Sequence, residues 1–195
     1  MYVQNDSIVK NRIRELLFEE VKSSTKTIKR FITLCNTSFN IETNILERFK
    51  NSKGICYEFD KRIFKKAEKN KPGKITLLNT SIYNHEFKEE VDFIWLDLYN
   101  SYTDTVLTNI VEFTKKIKWS NNAIYAITLN LKRGCSNDNL FYGKHFTNYK
   151  KKGVINHIGQ FIQANVESVK TYQYTCSDIN PMGASMYLII FKLKK

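Results

Sequence analysis

The chain has 195 residues, with 31 Lys or Arg against 19 Asp or Glu, and a formal net charge of +12. That length is typical of one domain. A hydrophobic fraction of 42% with 13 Phe and 11 Tyr excludes an intrinsically disordered chain, and only 7 Gly and 2 Pro exclude collagen-like or low-complexity chains. No apolar stretch approaches the ~20 residues that span a bilayer. We therefore expect no membrane contact and no signal peptide.

The first half of the chain alternates helical and strand patterns. Ile8–Val21 carries a helical apolar stripe, and Phe31–Cys35 is a short strand-type run. Ile41–Phe49 predicts a second helix with Asn40 as its N-cap. The remaining predicted elements of this half are a strand at Gly54–Phe59, a helix at Lys61–Asn70 and a strand at Lys74–Leu78.

The second half continues the alternation and then changes at its end. A buried strand at Asp92–Leu98, a helix at Thr103–Lys118, a strand at Ala123–Leu131 and a helix at Val154–Val166 are predicted. The last two strands, Val169–Cys176 and Met186–Leu193, are separated by a segment too short for a helix, so they must pair as an antiparallel hairpin. Five strands joined through helices predict a parallel sheet, made mixed and seven-stranded by the hairpin.

The segment Gly54-Ile-Cys-Tyr-Glu58-Phe-Asp60, followed by a helix ending in Lys69-Asn70, resembles the second-strand motif of class I (Rossmann-like) S-adenosylmethionine-dependent methyltransferases. The resemblance covers nearly the whole chain as one domain, 1–195. It implies a Rossmann-like three-layer sandwich with an N-terminal helical segment at 1–28 and a substrate-side insertion at 139–168. It also implies S-adenosylmethionine as cofactor. Glu58 matches the acid that accepts hydrogen bonds from the ribose hydroxyls, and Asp60 is the second choice. The alternative is that Glu58 faces solvent and Asp60 caps the helix.

The loop after the first strand departs from the family's pattern, because it contains no glycine. By resemblance it would hold the methionine end of the cofactor, through the residues Cys35, Asn36, Thr37 and Ser38. The alternative is a loop that only caps the following helix, in a fold that has lost its cofactor. Asn79 and Ser81 follow the third strand, where the family contacts the adenine, although both residue types are also common in turns.

The fourth strand ends in Asp97-Leu98-Tyr99-Asn100, which resembles the position of the D/N-P-P-Y/F motif of methyltransferases that modify amino groups. By this resemblance Asp97 would orient the acceptor and Tyr99 would stack on an extruded base. Both prolines are missing, and Asp97 as a buried structural carboxylate is the alternative. Cys35 as a nucleophile is a further option, but a small buried strand residue is the simpler interpretation.

The positive charge lies in two stretches. Residues 61–74 hold seven Lys or Arg and one Glu, and residues 141–195 hold eight Lys and two acids, so each contributes +6. Between 139 and 153, aromatic residues alternate with lysines, a mixture that suits nucleic acid; the nucleic-acid candidates are Lys144, Tyr149, Lys150, Lys151 and Lys152. Solvated lysine-rich faces, or another acidic partner, are the alternatives.

The cysteine and histidine patterns bear on the cellular compartment and on metal binding. The four cysteines form no C-x-x-C pair, which indicates reduced thiols in a cytoplasmic protein, and no H-E-x-x-H spacing occurs, so no metal is expected. We therefore predict a methyltransferase acting on a DNA or RNA base, in a compact form typical of viral or phage proteins. The alternatives are a non-catalytic nucleic-acid-binding or assembly protein with this fold and a small-molecule methyltransferase. The sequence leaves the oligomeric state open.

Overall fold

A computed structural model describes residues 8–101, 103–130, 147–175 and 185–195. Its helices are α1 (Ile8–Ser24), α2 (Asn40–Arg48), α3 (Lys61–Asn70), α4 (Asp104–Lys116) and α5 (Thr147–Gly159), with a 3₁₀ turn at Ile82–Asn84. Its strands are β1 (Arg30–Leu34), β2 (Lys53–Tyr57), β3 (Ile75–Leu78), β4 (Val91–Ser101), β5 (Trp119–Asn130), β6 (Asn165–Thr175) and β7 (Ser185–Lys194). Within these ranges no helix is long and apolar enough to cross a bilayer.

The strands form one seven-stranded sheet in the order β3-β2-β1-β4-β5-β7-β6. β1 to β5 are parallel, β7 is antiparallel to β5, and β6 is antiparallel to β7. The predicted mixed sheet and terminal hairpin are confirmed. Because the chain leaves β1 toward β2 and β3, and returns to place β4 on the other side of β1, a crevice forms at the carboxyl ends of β1 and β4.

Alternate side chains of the strands build two apolar cores, one on each face of the sheet. Phe31, Phe93 and Trp95 pack in the core that α1, α2 and α3 cover. Ile94 and Leu96, on the opposite face, pack in the core that α4 and α5 cover. The period-2 alternation along β4 from Phe93 onward thus places Phe93 and Trp95 toward α1 and α2, and the three-layer sandwich is confirmed.

Glycine is required at Gly54 by close packing within the sheet. A Cβ atom there would lie 2.4 Å from the Phe31 ring and 2.6 Å from Cδ1 of Ile75, far inside van der Waals contact. The first residue of the G-x-x-E-x-D segment therefore lets β2 lie against its two neighbouring strands. Its role is packing at the amino end of β2, away from the carboxyl end where Glu58 lies.

Several predicted elements differ from the observed ones at their ends, among them α2 and α5. Phe39, not Asn40, occupies the N-cap position of α2, in a left-handed conformation at φ 50°, and Asn40 is the first helical residue. The helix predicted at Val154–Val166 ends at Gly159, and β6 already begins at Asn165. Ile162 continued the helical spacing of Val154 and Ile158, but it is buried from a turn beyond the helix.

Glu20 ties α1 to the terminal hairpin. Its Oε1 accepts hydrogen bonds of 2.7 Å from both the Lys170 ammonium and the Tyr172 hydroxyl, and the Lys192 Nζ lies 3.1 Å from Oε2. Glu20 is only 9% exposed. Burial alone raises the pKa of such a carboxyl, but these donors outweigh it and lower the pKa of Glu20 from 4.5 to about 2.

We expect Glu20→Gln to destabilise the fold by about 3 kcal/mol at neutral pH, since a depression of this size corresponds to ~1.4 kcal/mol per pKa unit. The folded pKa lies below the unfolded one, so this stabilisation is complete above pH 4.5 and is lost as the pH falls toward 2. Urea unfolding between pH 7 and pH 2.5 should show this loss in the wild type only. An unchanged acid dependence in Glu20→Gln would contradict the assignment.

Candidate functional site

Most of the site residues predicted from the sequence lie along one edge of the sheet. Cys35–Ser38 follow β1, Glu58 and Asp60 follow β2, and Asn79 and Ser81 follow β3. Asp97 lies near the carboxyl end of β4. Since β3, β2, β1 and β4 are neighbours in that order, these residues form a row across the edge that contains the crevice.

Asn36 organises the glycine-free loop after β1. Its Oδ1 accepts hydrogen bonds from the backbone N–H of Ser38 at 2.9 Å and of Phe39 at 2.7 Å, and from the Ser38 hydroxyl at 3.0 Å. Phe39 takes the left-handed conformation, which costs a bulky residue energy, and its ring is 1% exposed in the core beneath α2. The tight turn is thus formed by a side-chain cap and a buried anchor instead of by glycines.

The Cys35 thiol is a poor nucleophile in this setting. Cys35 is 5% exposed, and burial, together with the negative charges of Glu42 and Glu58, raises its pKa far above its ordinary value. The side chain is therefore a neutral thiol at physiological pH, and the nucleophile is the thiolate. The raised pKa disfavours the alternative of Cys35 as an activated nucleophile, while its contact with the methionine end of the cofactor stays a prediction.

Glu58 presents a half-buried carboxylate at the end of β2. Its Oε1 accepts a 2.8 Å hydrogen bond from the Asp60 N–H, which fixes the orientation of the carboxylate. Burial is the largest cause of its raised pKa. The Asn79 Nδ2 donates to the Glu58 carbonyl at 2.7 Å, so the loop after β3 stabilises the carboxyl end of β2.

Asp60 and Ser81 both cap helical turns. Asp60 Oδ1 accepts from the Arg62 N–H at 2.7 Å and from the Ile63 N–H at 3.3 Å, and the side-chain hydrogen bond from Arg62 is the main reason that its pKa is lowered. Ser81 Oγ accepts from the Tyr83 N–H at 3.4 Å at the start of the 3₁₀ turn. Capping explains both residues locally, so Glu58 remains the stronger ligand candidate after β2.

Phe59 is a candidate that the sequence analysis missed. It lies between Glu58 and Asp60, directly after β2, and it is 79% exposed. An aromatic ring this exposed offers a stacking surface for a planar ligand. The signal in the sequence was a large aromatic residue placed between two acids at a strand end.

Asp97 lies on the α1/α2 side of β4, opposite Thr128 of β5. The Thr128 hydroxyl accepts a 3.1 Å hydrogen bond from the Trp95 indole N–H and itself hydrogen-bonds the Asp97 carboxylate. Desolvation is the largest influence on this carboxyl and raises its pKa, against the opposing effects of Lys10, Arg14 and Thr128. A partly exposed carboxylate held in this way is an oriented hydrogen-bond acceptor at the crevice.

Glu42, in the first turn of α2, was also missed. It is 1% exposed, and its Oε1 accepts a 2.6 Å hydrogen bond from the Thr33 hydroxyl. Burial raises its pKa to about 6, opposed by Thr33, by its own backbone N–H and by Arg14, while the charge of Asp97 adds to the rise. Two carboxylates and the basic residues of α1 therefore share one neighbourhood beside the crevice.

The predicted nucleic-acid and stacking residues lie mostly outside what the structure describes. Lys144 is outside the described residues. Tyr99 belongs to β4, and Tyr149, Lys150 and Lys151 belong to α5, but their side chains are likewise outside the description. Lys152 in α5 is described and exposed. In the described segments, no three His, Cys, Asp or Glu side chains are placed so that they could hold a metal ion.

Sequence comparison finds no protein-family model and no curated protein that matches the chain. Solved structures do match its fold. The N-methyltransferase NodS from Bradyrhizobium japonicum WM9, in complex with S-adenosyl-L-homocysteine, superposes with a TM-score of 0.64 at 12% identity, covering 98% of this chain and 90% of that one. An rRNA methylase from Streptococcus thermophilus gives 0.60 at 13% identity, covering 97% and 99%.

A third match is an S-adenosylmethionine-dependent O-methyltransferase from Thermotoga maritima, with a TM-score of 0.60 at 14% identity, covering 99% of this chain and 69% of that one. All three are methyltransferases, and their similarity extends over nearly the whole of this chain. At identities this low the similarity concerns the fold. The chain has the Rossmann-like α/β fold of class I S-adenosylmethionine-dependent methyltransferases.

Proposed function

We propose that the protein is an S-adenosylmethionine-dependent methyltransferase that acts on a nucleic-acid base. The observation that carries the proposal is the row of Glu58, Phe59 and Asp97 at the crevice edge of a sheet with this fold. A nucleoside ligand needs a hydrogen-bond acceptor for its hydroxyls and a surface for its base, which the Glu58 carboxylate and the Phe59 ring offer. An amino acceptor needs an oriented carboxylate, which Asp97 offers.

The residues after β2 fit the adenosine half of the cofactor. The Glu58 carboxylate accepts hydrogen bonds from the Asp60 and Phe59 N–H groups, and an ionised carboxylate has about four acceptor positions. Capacity therefore remains for two ribose hydroxyls. Phe59, 79% exposed, supplies a face on which the adenine can stack. Asn79 keeps this strand end in place through its hydrogen bonds to the Glu58 and Phe59 carbonyls.

Asp97 is the group proposed to face the acceptor. The bound cofactor supplies an electrophilic methyl group on a sulfonium centre, so the protein's task is mainly to align the acceptor. The Asp97 carboxylate, held by the Thr128 hydroxyl, can accept a hydrogen bond from an amino group and direct its lone pair. Tyr99, two residues further along β4, is proposed to stack on the extruded base.

The distribution of surface charge supports a nucleic acid as the acceptor. Outward-facing basic residues line α3, and all of them are exposed: Lys61, Arg62, Lys65, Lys66 and Lys69. Lys152 is exposed in the second turn of α5. Since α5 leads into β6, which runs parallel to β5, its first turns lie toward the crevice edge. Such residues can neutralise phosphates on either side of the site.

Methyl-labelled S-adenosylmethionine tests this function directly. We expect the full chain to transfer label to single-stranded RNA or DNA and to leave a panel of small amines unlabelled. Label found only in small amines would contradict the nucleic-acid assignment. Oligonucleotide binding without any S-adenosylhomocysteine binding would contradict the enzyme and support a non-catalytic binding protein instead.

Lys152→Glu should weaken oligonucleotide binding and reduce the slope of log K against log salt by about 1 or more. The physical reason is that each lysine–phosphate contact releases about one counterion. Fluorescence anisotropy between 50 and 200 mM salt measures the slope. Lys116→Glu, an equal charge change at an exposed position in the last turn of α4, is the matched control. Equal losses in both variants would indicate only a net-charge effect.

A further inference from the structure

The outer face of α3 is its basic side, which projects into solvent. Ala67 is fully buried in the core that α1, α2 and α3 cover, and Ile63 and Phe64 are partly buried on the same side of the helix. These apolar side chains fix the rotation of α3, so that its basic side chains point away from the sheet. The outer face consists of five exposed residues: Lys61, Arg62, Lys65, Lys66 and Lys69.

Little of this charge is neutralised within the protein. Arg62 pairs with Asp60, at 3.2 Å between Nη2 and Oδ2. Among the described residues, none forms an ion pair or a hydrogen bond with the ammonium groups of the four lysines. Residues four apart on a helix are neighbours, so Lys65 is repelled by both Lys61 and Lys69. Lys61 and Arg62 also place cations in the first turn, which contains no acid and where the helix dipole disfavours positive charge.

The helices α1 and α4 arrange their charges differently. Each places acids three residues from basic residues and joins them in ion pairs: Arg12–Glu15 at 3.1 Å, Lys22–Glu19 at 2.5 Å and Lys115–Glu112 at 2.6 Å. The single acid of α3, Glu68, forms no such pair in the described part of the chain. The charge of α3 therefore lowers the stability of the free helix, and a bound polyanion would relieve the repulsion between its lysines.

Both ends of α3 contact the proposed cofactor site. At its start, the N–H of the N-cap residue Asp60 donates to Glu58 Oε1 at 2.8 Å. At its end, Asn70 Nδ2 donates to the Thr37 carbonyl, in the loop after β1, at 3.3 Å. A polyanion bound along the outer face of α3 therefore lies beside the crevice.

We propose that the outer face of α3 binds the sugar–phosphate backbone of the substrate strand while one of its bases lies in the crevice. This rests on the function proposed above, and it makes the substrate a polynucleotide strand instead of a free nucleotide. The ten residues of α3 span about 15 Å, and a strand with a rise of about 3.4 Å per phosphate presents about four phosphates over that length. Lysines contact phosphates as point charges, so this docking carries no base preference.

Neutralising two of the lysines tests the proposal, with fluorescence anisotropy of a labelled mixed-sequence single-stranded RNA as the measurement. The double variant Lys65→Gln/Lys69→Gln should weaken RNA binding roughly tenfold and lower the slope of log K against log salt by about 1.4, since each phosphate contact on a single strand contributes about 0.7. Its S-adenosylhomocysteine affinity should stay within about twofold of the wild type, because the contacts at both ends of α3 are kept. Its melting temperature should not fall, since a repulsion between neighbouring lysines is removed.

The matched control is Lys26→Gln/Lys29→Gln, an equal charge change at two exposed positions just before β1, at the opposite edge of the sheet. It should leave the salt slope unchanged. Equal losses in the two double variants, or an unchanged slope in Lys65→Gln/Lys69→Gln, would overturn the proposal. Tighter binding of polyglutamate than of RNA at equal charge would assign the outer face of α3 to an acidic protein and also overturn it. If the wild type binds S-adenosylhomocysteine but no RNA, the nucleic-acid part of the proposed function itself fails.

Discussion

Asp97→Asn should lower kcat for methyl transfer by about 10²- to 10⁴-fold, the usual contribution of a positioned proton acceptor. An amide oxygen can still accept the hydrogen bond from Thr128, so the strand geometry should persist. What is lost is the negative charge that draws an amino proton away and aligns the lone pair. Single-turnover transfer from labelled cofactor measures the effect, and S-adenosylhomocysteine affinity should change much less.

Asp92 offers a matched control on the same strand. It lies at the opposite end of β4, where its Oδ2 accepts from the backbone N–H groups of Lys29 at 2.7 Å and Arg30 at 2.8 Å. We expect Asp92→Asn to lower the free energy of unfolding while kcat per folded molecule stays within about twofold. Full activity in Asp97→Asn, or an equal loss in both variants, would contradict the proposed role.

Glu58→Ala should weaken S-adenosylhomocysteine binding about 10- to 100-fold or more. A hydrogen bond to a charged acceptor contributes about 1.5–3 kcal/mol, and tenfold in affinity corresponds to ~1.4 kcal/mol. Loss of the carboxylate removes the acceptor for both ribose hydroxyls. Calorimetric titration at neutral pH measures the dissociation constant, with unfolding curves to confirm that the variant is folded.

Asp60→Asn separates ligand binding from helix capping. Asn caps a helix about as well as Asp, so the Arg62 and Ile63 N–H groups keep their acceptor. The N–H of residue 60 also remains available to Glu58. We therefore expect affinity in Asp60→Asn to stay within about threefold of the wild type. A larger loss in Asp60→Asn than in Glu58→Ala would assign the ribose to Asp60 instead.

Local signals explain which elements the sequence predicted well. The predicted helix Lys61–Asn70 has the observed bounds, because Asp60 caps its start and Lys71-Pro72-Gly73 follows its end. The parallel strands were recognisable because both of their faces are buried. The hairpin was predicted from the length of the segment between its two strands, which is too short for a helix. These features depend on residues close together in the sequence.

Contacts between residues of different elements explain the features that the sequence did not predict. The left-handed N-cap at Phe39 depends on the burial of its ring and on the Asn36 cap, and neither can be read from the preference for Asn at helix starts. The pairing of Thr33 with Glu42 crosses from a strand to a helix. The charge of Arg14 acts on Glu42 and Asp97, which belong to two other elements, and in the sequence Arg14 was only a polar residue outside an apolar stripe.

We propose that the crevice edge binds the cofactor even though the loop after β1 has no glycine. Calorimetric titration of the full wild-type chain with S-adenosylhomocysteine tests it most directly, together with the change in melting temperature, because a ligand that binds only the folded state must raise it. We expect a saturable one-site isotherm and a melting temperature that rises with ligand concentration. No heat and no shift at millimolar ligand would contradict it.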